Sequence, residues 1–128
     1  MLRDKDRGTI ARILKAQPDV AAAYLFGSQS RGNASEESDV DIGVVLNEKG
    51  DSLRRELELE GEISQAVGRA VDVRILSFEQ SPVFLMQAAQ GDLLVGYDRP
   101  ERVAFEIELA KLHDDAQQYF RIARHYIK

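Results

Sequence analysis

Two aspartates separated by one residue, Asp39 and Asp41, stand at the head of the apolar run DVDIGVVL, Asp39–Leu46. In an extended strand side chains alternate between faces, so these carboxylates share a face about 6–7 Å apart. Ionised there, they repel each other unless a divalent cation sits between them. Mg2+ suits such a place, because it takes one or two carboxylates and fills its other positions with water and substrate phosphates. Two solvated aspartates at the start of a strand would have the same spacing, so the neighbouring features matter. Gly27-Ser28 directly follows the apolar segment VAAAYLF, Val20–Phe26. The glycine permits a tight turn and close approach of a ligand to the backbone. Ser28 is a good helix N-cap, and the amides beyond it would point outward towards phosphate. Arg31 adds a phosphate-pairing guanidinium. An ordinary strand–turn–helix connection carrying an exposed Arg31 is the plainer alternative. Asp72 interrupts VDVRIL on the face opposite Val71, Val73 and Ile75, where a lone carboxylate is costly unless paired or bound to metal. A salt bridge to Arg69 or Arg74 would also satisfy it. Taken together, three carboxylates from two strands beside a phosphate-holding loop make a constellation for two-metal phosphoryl transfer.

The surrounding pattern supplies the elements that must position these groups. Arg3–Lys15 is helical in spacing, with Ile10, Ile13 and Leu14 on one side, and Pro18 stops it. Val20–Phe26, Asp39–Leu46 and Val71–Leu76 are expected strands, and Gly27–Ser38 is a polar loop with at most a helical turn. Along Asp39–Leu46, Val40, Ile42, Val44 and Leu46 form the core face. Asp51–Gly68 is an expected helix with one apolar track at Leu53 and Leu57 and another at Leu59, Ile63 and Ala66. Pro82–Gln90 is a short helix opened by proline and ended by Gly91, and Leu93–Tyr97 is an edge strand. From Pro100 onward the chain is compatible with helix. Alternating strands and helices predict an α/β (α+β) domain, a small mixed sheet covered on one side by helices.

Composition narrows the function. At 128 residues the chain is the size of one domain, taken as 1–128 with a core over about 20–98 and a C-terminal helix over about 100–127. It has no cysteine, which excludes disulfides, thiol nucleophiles and cysteine–zinc sites. Lysine and arginine number 17 against 22 acidic residues, a net charge of −5 that disfavours direct nucleic-acid binding in the absence of a basic patch. The longest uncharged stretch, Gln80–Gly91, has 12 residues, short of the roughly 20 that a membrane helix needs. The opening MLRDKDRGTI has no apolar signal-peptide region, so a cytoplasmic protein is expected.

The string LFGSQSRGNASEESDVDIGVVL resembles the polymerase-β-type nucleotidyltransferases: Gly-Ser, a spacer, Asp-x-Asp, and a third Asp on a later strand. The ten-residue gap and the Ser-Arg-Gly within it look most like the minimal nucleotidyltransferases (MNT, MntA-type antitoxins), with the likeness running from Val20 to about Asp98. The resemblance implies a nucleotidyltransferase fold and transfer of AMP from ATP, with Mg2+ held by Asp39, Asp41 and Asp72. It gives Gly27 and Ser28 the triphosphate tail, Arg31 a phosphate contact, and Asp72 a place in the metal site or as acceptor of the attacking hydroxyl's proton. It also implies a partner, a HEPN-type ribonuclease toxin modified on a tyrosine. A different class of function is an antitoxin that masks its toxin by contact, with a vestigial nucleotide site; the three intact carboxylates favour the enzyme. Small-molecule transfer, as in aminoglycoside-modifying relatives, is expected to need a second domain that these residues lack.

Other residues receive plainer assignments. His113 and His125 lack the i, i+4 spacing of a helical metal pair and are read as surface or interface residues. The segment Arg121–Tyr126 is faintly similar to the Arg…His signature of HEPN ribonucleases, but the spacing is too short. Phe105, Leu109, Leu112, Ala116, Tyr119, Ala123 and Tyr126 form a heptad-like seam; packing wholly on the domain's own sheet is the plainer reading, but a small sheet can hardly cover so long a helix, so part of the seam offers a docking surface. The charged run Arg54–Glu62 is read as a solvated helix face.

Overall fold

A computed structural model describes residues 2–27, 40–48 and 50–113. The elements run α1 (Asp4–Lys15), β1 (Val20–Phe26), β2 (Val40–Leu46), α2 (Ser52–Val67), β3 (Val71–Ile75), α3 (Pro82–Ala89), β4 (Asp92–Val95) and α4 (Pro100–His113). Sheet order is β3-β2-β1-β4, with β1 antiparallel to both β2 and β4 and β2 parallel to β3. The parallel pair requires a crossover, which α2 provides. This is the mixed sheet that the sequence predicts.

Local chemistry sets the boundaries of α2. Asp51 caps it, its carboxylate accepting the Arg54 amide at 3.1 Å, and Gly68 ends it at φ 70°. Arg55 holds the helix to the turn before β1 through two 2.8 Å hydrogen bonds to Asp19 and one of 2.7 Å to Gln17. The Asp19 carboxyl is lowered below its usual range by that guanidinium.

The expected one-sided covering is corrected: helices pack on both faces. Ile10 and Leu14 of α1 and Leu59 and Ile63 of α2 join Val40, Ile42, Val44, Val71, Val73 and Ile75 in one core. Leu85, Met86, Ala88 and Ala89 of α3 and Phe105, Leu109 and Ala110 of α4 pack on Ala21, Tyr24, Val45 and Leu76 in a second. Both sides of β1 are apolar, which is why a continuous run such as VAAAYLF suits a strand buried on two faces.

Two details of α2 also differ from expectation. Val67 packs against the core, whereas Ala66 is exposed, so the inner track is Leu59, Ile63, Val67 at steps of four. The run Arg54–Glu62 is not simply solvated. Glu60 and Glu56 accept the outward amides of Val73 and Ile75, each at 2.8 Å. The open edge of β3 is thereby satisfied by two carboxylates one helical turn apart, which blocks its use as a pairing template.

On α4, Phe105 and Leu109 are buried as the seam requires, but Leu112 is 53% exposed. Arg102 and Glu106 occupy the buried face instead, hydrogen-bonded to each other one turn apart. The remaining seam positions, Ala116, Tyr119, Ala123 and Tyr126, and also His125 and the segment Arg121–Tyr126, lie outside the described residues, as does the side chain of His113.

Candidate nucleotidyl-transfer site

The site forms where β1 ends and β2 and β3 begin. Val40 and Ile42, and Val71 and Val73, point into the core beneath α1 and α2, so Asp41 and Asp72 point to the opposite face. Their strands are parallel neighbours, and register places Asp41 directly beside Asp72. Adjacent strands lie about 4.8 Å apart, so the two carboxylates sit side by side at one level of the sheet. On the other flank Asp41 pairs with Phe26, the last residue of β1. The row Phe26, Asp41, Asp72 thus draws on three strands.

Gly27 continues that row. It turns the chain at φ 77°, and a Cβ there would stand 2.7 Å from the Asp41 Oδ2 atom. The backbone angle favours glycine, and a Cβ would have to push the Asp41 carboxylate aside. The missing side chain leaves a cradle directly against one carboxylate oxygen, where a ligand can reach both Asp41 and the turn. That cradle and the paired carboxylates fit a divalent cation carrying phosphates. Among the described residues no cluster of three metal-ligating side chains occurs. Asp39, the expected third carboxylate beside Asp41, lies outside them, as do Ser28 and Arg31.

Asp72 does have the neighbour considered from sequence. Arg74 Nε stands 3.5 Å from Asp72 Oδ1, with the two side chains 53% and 44% exposed. A contact this long and this solvated is worth little, so it leaves the Asp72 carboxylate available. Arg74 adds positive charge near the site. Beside Asp41, the Phe26 ring meets Phe84 of α3 edge to face, centroids 5.9 Å apart, which ties the end of β1 to α3.

One row deeper the sequence reading missed a buried polar group. Tyr24 pairs with Gly43 and is fully buried under α4, against Arg102 and Glu106. Arg102 Nε also donates to the Gly96 carbonyl at 2.8 Å, joining α4 to the end of β4. Burial raises the Glu106 carboxyl to about 7 against the opposing pull of Arg102, and burial with the Glu106 charge pushes the Tyr24 phenol well above its usual value. An Arg and a Glu spaced i, i+4 among Phe105, Leu109 and Ala110 were the available signal.

A family model described as polymerase beta, nucleotidyltransferase matches residues 8–100. The chain belongs to the polymerase-β nucleotidyltransferase family, and its sheet, carboxylates and Gly27 turn fall inside the matched span. Among curated proteins it is 34% identical over 83 residues to the Methanocaldococcus jannaschii protein named "Putative protein adenylyltransferase MJ0128", covering 65% of this chain and 83% of that one. Among solved structures it is similar to one described as a toxin-antitoxin with AMP-PNP, at 26% identity and a TM-score of 0.68, covering 88% of both chains. The fold is shared with a complex of tri-AMPylated Shewanella oneidensis HEPN toxin and MNT antitoxin, at 24% identity and a TM-score of 0.67, covering 88% of this chain and 87% of that one.

Proposed function

We propose that this chain transfers AMP from ATP to a hydroxyl of a partner protein, a tyrosine of a HEPN-type ribonuclease toxin, and so acts as its antitoxin in the cytoplasm. The observation that carries the reading is the register of Asp41 against Asp72 beside the Gly27 cradle. The relatives support the nucleotide, the transfer and the class of partner. Residues 1–128 act in this reading as one catalytic unit.

The chemistry follows from charge. Asp39, Asp41 and Asp72 would hold Mg2+, which when bound neutralises the phosphates and steadies the entering and leaving oxygens. Gly27 and the Ser28 amide would hold the triphosphate tail, and Arg31 would pair with a phosphate. The tyrosine oxygen attacks the α-phosphorus, the new O–P bond forms, and the bond to pyrophosphate breaks. Asp72, on the outer flank of the row, takes the phenolic proton. Positioning of the acceptor in line with that bond supplies much of the rate. The product carries bulk and negative charge on the toxin, which would exclude RNA from a basic ribonuclease site.

The −5 charge supports a protein acceptor over RNA. No helix among the described residues is long and apolar enough to cross a membrane. Calorimetry of ATP binding with Mg2+ and with EDTA tests the metal part of the reading. Binding is expected only with Mg2+, and equal affinity in both conditions contradicts it.

A further inference from the structure

The second core holds three polar groups that the transfer chemistry does not use. Tyr24 of β1 and Arg102 and Glu106 of α4 are each wholly buried. Part of their bonding capacity is met within the chain. Arg102 Nε donates to the Gly96 carbonyl at 2.8 Å, and Arg102 Nη1 donates to Glu106 Oε2. The rest is not met. Tyr24 Oη, Arg102 Nη2 and Glu106 Oε1 are all buried without a hydrogen-bond partner among the described residues. Native structures leave few such atoms, because an orphaned buried donor or acceptor forfeits its hydration for nothing in return. The three belong to one cluster. Burial raises the Tyr24 phenol, the Glu106 charge raises it further and the Arg102 charge opposes both, so the groups act on one another at close range.

The bonding character of the three atoms decides what fits between them. A guanidinium nitrogen only donates, an ionised carboxylate oxygen only accepts, and a phenol hydroxyl does either. A metal cation would meet the guanidinium, and an anion would meet the carboxylate. Neither satisfies all three atoms. Water does, by accepting from Arg102 Nη2 and Tyr24 Oη and donating to Glu106 Oε1. Three hydrogen bonds to otherwise orphaned polar groups is the usual count for a buried water. The setting suits so small a molecule. The core that holds Tyr24 is rich in short side chains, with Ala21, Ala22, Ala88, Ala89 and Ala110 among its members.

We infer that one buried water bridges Tyr24, Arg102 and Glu106 and completes the joint between α4 and β1. Tyr24 pairs with Gly43, one row in from the pair of Phe26 with Asp41, so the water lies behind the carboxylates on the same face of the sheet. Its work is to hold α4 in place, and the inference does not depend on the proposed reaction.

A high-resolution crystal structure of the full chain tests it directly. A single density peak of water height should stand within about 3.2 Å of Tyr24 Oη, Arg102 Nη2 and Glu106 Oε1. A direct bond from Tyr24 Oη to Glu106 Oε1 with no peak between them overturns the inference, and so does a peak of an ion's height. Relaxation dispersion of water oxygen gives a second reading in solution, because it counts the waters held longer than the molecule takes to tumble. Replacing a buried ion pair by apolar residues of similar volume is generally tolerated, so Arg102→Met combined with Glu106→Leu should keep the fold, checked by far-UV circular dichroism. That double variant removes two of the three partners, and the count should fall by one long-lived water. A folded double variant with the wild-type count overturns the inference.

Discussion

Asp41 is the residue on which the site turns, because it lies against the Gly27 cradle and, across the strand pair, in register with Asp72. Asp41→Asn keeps shape and removes charge, so transfer should fall by about 100-fold or more, the scale of losing a charged metal ligand. The melting temperature should hold or rise, since a repulsion between neighbouring carboxylates is relieved. Rates of AMP transfer and thermal melts check the two halves together; transfer within threefold of wild type shows that Asp41 is no ligand. Gly27→Ala acts differently. It forces a side chain into φ 77°, a conformation costing about 1 kcal/mol or more for a non-glycine residue, and places carbon 2.7 Å from Asp41 Oδ2. Transfer should fall as far as in Asp41→Asn, with a lowered melting temperature as the distinguishing mark. These two residues were legible in the sequence because period-2 alternation puts Asp41 and Asp72 on one face, and a strand ending in glycine announces a turn. The Tyr24, Arg102 and Glu106 group was not. It is made by packing α4 on β1, and nothing in either segment alone states that they meet.

At the scale of elements, the sequence located every strand to within a residue or two, because apolar runs bounded by Gly, Pro and polar clusters carry that information locally. It placed Leu93–Tyr97 at an edge, where β4 lies, but did not show that β3 forms the other edge, since strand order is a property of the whole sheet. Hence Glu56 and Glu60 looked like solvent-facing charges, although they satisfy the outer amides of β3. Removing either acceptor in Glu60→Ala or Glu56→Ala should cost about 1 kcal/mol in urea unfolding, whereas Glu→Gln at the same positions, which keeps an acceptor oxygen, should cost less. Equal losses for Ala and Gln would show that the hydrogen bonds are unimportant. The buried Glu106 gives α4 a pH signature. Its carboxyl is raised from 4.5 to about 7 by burial, so between those values the folded state holds a proton that the unfolded chain has released. Its effect on stability is thus absent below about pH 4.5 and becomes a full penalty above about pH 7, at most about 3 kcal/mol. Glu106→Gln should be the more stable protein at pH 8, and its advantage should shrink as pH falls towards 5. A stability difference between the two that does not change with pH contradicts that assignment.

The whole molecule sets its chemistry at one end of its sheet. The carboxylates and Gly27 gather at the end of the sheet where β1 finishes. Covering both faces of the sheet leaves the rim as the place for chemistry, and an acidic surface favours a protein acceptor whose own active site is basic. The most direct test of that account mixes the chain, ATP and Mg2+ with a HEPN-type ribonuclease, sought first as the product of the neighbouring gene, and measures the intact mass of the ribonuclease. The account predicts one or more AMP additions on tyrosine, loss of ribonuclease activity, and neither effect with Asp41→Asn. A ribonuclease bound and silenced without change of mass, and silenced equally by Asp41→Asn, would contradict it and make the chain an antitoxin that acts by contact alone.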